Sequence, residues 1–187
     1  MGRLEPKCAF CRKPLPKTDE ERIEQLTKRI EANDPVAMRE IGLKIYDEGD
    51  YKSAFEYWTK AAALGDVHAH YQLSCLYRDG QGVEKDVKKQ IHHLEQAAIG
   101  GQPDARHNLG CIEFENDRMD RAVKHLIIAA KLGLDKSLDG LKDLYRDRCV
   151  SQEDFASALR GHKAAIDATK SPQREEVAAF EKKYYGE

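Results

Sequence analysis

An internal repeat constrains this chain more than any other feature. Three stretches end alike, with a pair of small residues followed by glycine: YWTKAAALG ends at Gly65, HLEQAAIGG at Gly101 and HLIIAAKLG at Gly133. Small residues at matching places open each new apolar pattern, and these are Ala37, Ala69, Ala105 and Ser137. Their spacings of 32, 36 and 32 residues are typical of helical repeats, in which each unit packs only on its neighbours.

Each unit has the pattern of two helices. The first contains Ala, three residues, an apolar residue and then Gly or Ser, as in AMREIG, AHYQLS and ARHNLG. The second carries an alanine (Ala54, Ala122 or Ala158) seven residues before another alanine, and seven residues are about two helical turns. Helix-start signals agree with this pattern, because Asp34-Pro35 places Asp at the N-cap and Pro at the first helical position. We predict an all-α solenoid of antiparallel helix pairs.

The repeat spacing divides the chain into seven segments. The extra four residues of the second unit lie within RDGQGVEKD, whose glycines favour a turn. Thr18 and Glu21 have capping-box spacing, which predicts a helix in front of the first repeat. The predicted segments are a flexible arm at 1–17, an N-terminal capping helix at 18–32, repeats at 33–65, 66–101 and 102–133, a degenerate repeat at 134–170, and a C-terminal capping helix at 171–187.

The repeat resembles a known family. Ala-x-x-x-Leu-Gly, a Gly-x-Gly-Val turn with Asp, and Ala-Ala-x-x-Gly together resemble the Sel-one-like repeat, a close relative of the tetratricopeptide repeat. The stretch AHYQLSCLYRDGQGVEKDVKKQIHHLEQAAIGG matches that pattern nearly end to end, with Gln90 where the usual Ala would stand. The fourth unit departs most, with Ser137 in place of Ala and Lys142 in place of Gly. The resemblance covers about residues 33–167 and implies a right-handed α-solenoid that holds partner proteins, not an enzyme.

The motif CAFCRKPLP near the start looks like the last ligand pair of a RING finger. Cys8 and Cys11 supply two thiolates, whereas a tetrahedral zinc site requires four ligands. Six further RING ligands should precede Cys8, and the seven residues before it contain neither Cys nor His. We expect a RING remnant holding half of a zinc site, and no cofactor unless absent sequence or another chain supplies the missing ligands. There are two alternatives to a RING remnant. The chain could be a zinc protein, or the Cys-x-x-Cys motif could occur by chance in a loose arm.

Composition excludes several classes of protein. The chain has 33 acidic and 31 basic residues and a net charge of −2, whereas a nucleic-acid binder usually shows a basic stripe or face. It has no run of about 18 apolar residues, as a membrane span would require, and no apolar segment after Met1 that would indicate a secretory signal. Five irregularly spaced cysteines favour a reducing compartment, the cytoplasm or the nucleus. We expect a monomer that binds neither nucleic acid nor membrane.

The candidate binding residues come from the first helix of each unit. In tetratricopeptide-like geometry these helices line the concave face, and residues two, three and six after the opening Ala or Ser should point there. The predicted set is Arg39, Glu40, Leu43, Tyr71, Gln72, Cys75, His107, Asn108, Cys111, Asp139 and Asp143. Tyr71 and Leu43 would be apolar anchors, and Asp139 with Asp143 would make an acidic end. Such a surface suits a peptide; the alternative is a merely solvated inner face.

Two functional hypotheses follow. The first is a scaffold that binds a protein or peptide partner, with the substrate-binding part of a RING-type ubiquitin ligase as its more specific form. The second is a zinc-binding module or a repeat-fold enzyme acting on its own. We find no catalytic motif, since the GQGV turn lacks the Lys-Ser/Thr of a phosphate loop. The histidine pairs His68/His70 and His92/His93 do not have the spacing that puts two ligands on one helix face. We therefore expect no enzyme activity.

Overall fold

The computed structural model describes residues 18–170, and every regular element in that range is an α-helix. The helices are α1 (Asp19–Glu31), α2 (Pro35–Asp47), α3 (Tyr51–Ala63), α4 (Val67–Asp79), α5 (Val87–Ile99), α6 (Pro103–Glu115), α7 (Met119–Lys131), α8 (Asp135–Arg146) and α9 (Gln152–Thr169). The all-α prediction is confirmed, and the chain folds as antiparallel helix pairs. Cys8, Cys11 and the predicted C-terminal capping helix lie outside the described residues.

Side-chain caps fix where several helices begin. Thr18 accepts a hydrogen bond from the backbone N–H of Glu21 at 3.2 Å, as the capping-box spacing predicts. Asp34 accepts from two N–H groups of the first turn of α2, and Pro35 occupies the first helical position. Asp66 repeats this arrangement at α4, where its carboxylate accepts from the Ala69 N–H at 2.7 Å. Each cap satisfies donors that the helix itself leaves without a partner.

The repeated Ala-Ala-x-x-Gly signature ends helices by one mechanism. At the end of α3 the N–H of Gly65 donates to the Ala62 carbonyl at 2.9 Å, and the N–H of Asp66 donates to the Ala61 carbonyl at 3.0 Å. This is a Schellman motif, and Gly65 has the positive φ of 88° that the motif favours in glycine. The same bonds close α5 at Gly101 and α7 at Gly133. The repeated signature therefore marks the ends of α3, α5 and α7.

The described chain divides into two compact units, and the first extends to residue 90. Within its described part, α2 packs between α1 and α3, and α3 also packs against α4. Trp58 of α3 is the centre of the core, with 1% of its surface exposed, and its indole Nε1 donates to the Arg39 carbonyl at 3.2 Å. Gly42 of α2 lies beneath the indole, where a Cβ atom would come within 2.6 Å of Nε1. Close approach of α2 and α3 therefore requires a residue without a side chain at position 42.

The second unit comprises residues 91–187. In its described part α7 is central, since it packs against α6, α8 and α9. The core residues are Val123, Leu126, Ala130, Leu138, Leu141, Val150 and Ala158. The degenerate fourth unit thus still forms a helix pair, α8 and α9, and Ser137 takes the fully buried place of the opening alanine. No helix within residues 18–170 is long and apolar enough to span a membrane.

Candidate functional site

A groove between α6 and α8 contains most of the predicted residues of the second unit. We call it the α6–α8 groove; its volume is about 420 Å³. It is lined by His107, Gly110, Cys111, Phe114, Glu115, Leu126, Gly140, Asp143, Leu144 and Asp147. Three predicted site residues, His107, Cys111 and Asp143, therefore share one concave surface. Gly140 lines the α8 wall, and a Cβ atom there would meet nothing within 4 Å.

His107 connects the two walls of this groove. Its Nδ1 lies 2.9 Å from the hydroxyl of Ser137, which is fully buried at the start of α8. Its Nε2 lies 3.6 Å from the thiol of Cys111, one helical turn further along α6. Burial, together with the nearby Lys136, lowers the pKa of His107. The imidazole is therefore neutral at physiological pH and orients α6 against α8.

The Cys111–His107 pair does not have the electrostatics of a catalytic thiol. Burial raises the pKa of the Cys111 thiol, and the carboxylate of Glu115 raises it further. Reactive cysteines instead have a lowered pKa, because the thiolate is the nucleophile. In the first unit, burial also raises the pKa of Cys75. Cys75, Cys111 and Cys149 are free cysteines.

The α6–α8 groove has an apolar floor and an acidic rim. Phe114 is 50% exposed, and it lies with Leu126 and Leu144 in the groove lining. Glu115, Asp143 and Asp147 supply the rim. The predicted acidic end is partly neutralised, since Asp143 pairs with Arg146 at 2.9 Å and Asp139, outside the groove lining, pairs with Lys142 at 2.6 Å.

The candidate residues of the first unit are more dispersed. Glu40 and Leu43 line a smaller groove between α1 and α2, of about 250 Å³, together with Arg22 of α1. Arg39 instead reaches the start of α4, where its Nε lies 3.3 Å from the Asp66 carboxylate. This ion pair is partly buried and helps to hold α2 against α4.

Four further candidates lie on α4 and α6 outside both grooves. They are Tyr71, Gln72, Cys75 and Asn108, and all are half-buried. Whether any of the predicted residues contacts a partner stays a prediction.

The described residues offer no metal centre. Within residues 18–170, no group of three or more His, Cys, Asp or Glu side chains has an arrangement that could hold a metal ion. Cys8 and Cys11 lie outside this range, so the half zinc site stays a prediction.

Sequence analysis missed Phe114 and Leu144, although a signal for Phe114 was present. His107, Cys111 and Phe114 follow one another at i, i+4 and i+7, and they therefore share one face of α6. The rule based on the tetratricopeptide-like geometry stopped at the sixth position after the opening alanine. Extending this rule by one helical turn, to the ninth position after Ala105, would have included Phe114.

Comparisons with known proteins agree with this architecture. The Sel1 repeat model matches residues 35–66, 67–102 and 103–134, which together are more than half of the chain. The structure is similar to a Sel1 repeat protein from Oxalobacter formigenes, with a TM-score of 0.68 and 28% identity over 81% of this chain and 66% of that one. It is also similar to a protective antigen of uropathogenic Escherichia coli with an SLR fold, with a TM-score of 0.65 and 27% identity over 79% of this chain and 33% of that one.

A mouse protein, DAP3-binding cell death enhancer 1, is 24% identical over 198 residues, covering 84% of this chain. The chain spans 39% of the length of that relative. The matched repeats begin within two residues of the Asp34-Pro35, Asp66 and Gln102 helix starts, so the sequence pattern and the fold coincide. The chain belongs to the Sel1 repeat family.

Proposed function

We propose that this chain is a protein-interaction scaffold that binds an apolar segment of a partner protein in the α6–α8 groove. Sel1 repeat domains typically serve as protein-interaction scaffolds, which supports this class of function. The observation that carries the proposal is Phe114, which is half exposed in a groove that Leu126 and Leu144 also line. A large apolar side chain left accessible beside a groove is typical of an interaction site.

The groove also indicates which segment it would prefer. Its apolar floor would accept one anchor side chain, such as Leu, Ile or Phe. Glu115 and Asp147 at the rim would favour a Lys or Arg next to that anchor. The raised pKa of Cys111 leaves the groove without a thiolate, which supports binding rather than catalysis as its role.

We also propose, as a more specific form, that the chain is the substrate-binding part of a RING-type ubiquitin ligase in the cytoplasm or nucleus. Cys8 and Cys11, followed by basic residues and prolines, support the RING relationship. The free thiols of Cys75, Cys111 and Cys149 suit a reducing compartment. A ubiquitination assay of the longest natural form of the protein tests the ligase proposal. Loss of substrate ubiquitination when residues 18–170 are deleted would support the proposal, and unchanged ubiquitination would contradict it.

Peptide selection tests the binding proposal. A displayed peptide library is selected on the purified chain, and the affinities of the enriched peptides are measured for the parent, Phe114→Gln and Ile128→Gln. Ile128 is the matched control, because it is a large apolar residue 40% exposed on α7 and outside the groove lining. Losing an anchor contact should weaken binding about 10- to 100-fold for Phe114→Gln. Equal affinities for both variants would contradict the proposed groove.

A further inference from the structure

A second pocket in the same unit is chemically unlike the α6–α8 groove. We call it the arginine pocket; it is bounded by α5, α6 and α7 and has a volume of about 560 Å³. It is lined by Ile91, Glu95, Gln96, Ala98, Ile99, Arg106, Leu109, Ile112, Glu113, Arg118, Arg121 and His125. None of these residues lines the α6–α8 groove, so the two sites are distinct surfaces of one unit.

Two of the three arginines share one carboxylate. Glu113 is nearly buried, and its carboxylate pairs with Arg118 and, at 3.0 Å, with Arg121. The Arg118 hydrogen bond is the main reason that the pKa of Glu113 is lowered. Arg106 does not share this carboxylate, so its positive charge is available to a ligand.

Two buried nitrogen atoms in this pocket have no hydrogen-bond partner within the described chain. They are Nε of Arg106 and Nδ1 of His125. A buried polar atom without a partner costs about 1–3 kcal/mol, and native structures contain few of them. The two side chains come from facing helices, α6 and α7. Both nitrogen atoms therefore lack an acceptor within the described chain.

Besides Glu95 and Gln96, the rest of the pocket lining is apolar. Ile91 and Ile99 of α5 line the pocket together with Leu109 and Ile112 of α6. Ile99 is 75% exposed, the largest exposed fraction among the large apolar residues described. A small inorganic anion would leave this apolar surface in water. An acidic side chain carried by a peptide with apolar neighbours would cover it.

We propose that the arginine pocket binds an aspartate or glutamate side chain of a partner protein, whose aliphatic neighbour packs on Ile99. The carboxylate pairs with the guanidinium group of Arg106, beside His125, and a charge-assisted bond of this kind is stronger than a neutral one. The inference rests on the proposed function only in that the ligand is part of a protein. The arginine pocket would give that partner a second contact, on a basic surface rather than on the acidic rim of the α6–α8 groove.

The surroundings of His125 fit this assignment. Burial and the charge of Arg106 lower its pKa, Arg121 acts in the same direction, and Glu113 and Glu95 oppose them. A carboxylate bound beside Arg106 would offset the arginine charge. The pKa of His125 should therefore rise when the pocket is occupied.

Nuclear magnetic resonance titration of the full chain tests the proposal. The probes are the blocked peptide acetyl-Ile-Glu-Ile-amide, the matched acetyl-Ile-Gln-Ile-amide, and inorganic phosphate. The side-chain Nε–H resonance of Arg106, assigned by its loss in Arg106→Lys, and the ring resonances of His125 report binding. We expect the Glu peptide to shift both residues and to bind at least about tenfold more tightly than the Gln peptide.

Variants separate this pocket from the groove. Arg106→Gln and Ile99→Gln should remove the preference for the Glu peptide over the Gln peptide. The control Arg160→Gln, which changes an exposed arginine on α9, should keep this preference. Phe114→Gln should also keep it, so failure of the groove and failure of the pocket are distinguishable. Should Arg106→Gln unfold, Ile99→Gln decides, because its side chain is exposed. Equal binding of the two peptides, or phosphate shifting Arg106 while the Glu peptide does not, would overturn the proposal.

Discussion

Replacing Gly42 by alanine should destabilise the first unit, although alanine is the better helix former. An added Cβ would lie 2.6 Å from Nε1 and 2.7 Å from Cδ1 of Trp58, where carbon contacts normally stand at about 3.5–4.0 Å. The indole is 1% exposed and cannot move outward. Relief therefore requires α2 and α3 to separate by about 1 Å.

The magnitude follows from two opposing terms. Overpacking a core contact costs about 1–3 kcal/mol, and displacing the Trp58–Arg39 hydrogen bond costs about 1 kcal/mol more. Alanine recovers about 1 kcal/mol of helix propensity relative to glycine. We expect Gly42→Ala to lower the free energy of unfolding by about 1–3 kcal/mol. Gly140→Ala is the matched control, since nothing lies within 4 Å of its Cβ, and it should stabilise α8 by up to about 1 kcal/mol.

Equilibrium denaturation measures both variants. Trp58 is the single tryptophan of the chain, so its fluorescence reports the first unit, while circular dichroism reports all helices. The fluorescence midpoint should fall for Gly42→Ala and stay unchanged or rise for Gly140→Ala. A Gly42→Ala chain as stable as the parent would refute the close packing of Trp58 on α2.

Three further predictions concern packing, pH and zinc. Ala130→Leu should cost about 1–3 kcal/mol, because Ala130 is fully buried in α7; thermal unfolding measures this, and a melting temperature equal to that of the parent contradicts it. Burial lowers the pKa values of His107 and His125, so the unfolded chain binds protons more readily and stability should fall as the pH drops below about 6.5; a melting temperature that does not fall between neutral and mildly acidic pH contradicts this. Cys8→Ser with Cys11→Ser should leave helicity and bound metal unchanged, since two thiolates leave a tetrahedral shell half filled; one equivalent of zinc lost from the double variant contradicts it.

The repeat and its helix ends were predictable because one local signature encodes them. In Ala-Ala-x-x-Gly, the alanines are small enough to be buried, their carbonyls accept the closing hydrogen bonds, and the glycine takes the positive φ of the Schellman motif. All of this happens within six residues. The spacing of that signature therefore predicts where each second helix ends.

The two binding surfaces were less accessible to sequence reasoning. The α6–α8 groove was found in part, because His107 and Cys111 lie four residues apart and therefore share one face of α6. Leu144 of α8, which completes the apolar lining, was missed because it lies outside the positions that the tetratricopeptide-like rule considers. The arginine pocket was missed, since Arg106 and His125 are on different helices and their unsatisfied nitrogen atoms depend on side-chain placement rather than on spacing.

The central claim is that a partner segment binds between α6 and α8, and hydrogen–deuterium exchange tests it most directly. Exchange is compared for the full chain alone and saturated with the tightest selected peptide. Binding suppresses the local openings that permit exchange, so the account predicts slower exchange at the C-terminal turns of α6, around Phe114, and of α8, around Leu144, with no change at α2. Unchanged exchange in α6 and α8, or protection confined to α2, would contradict it.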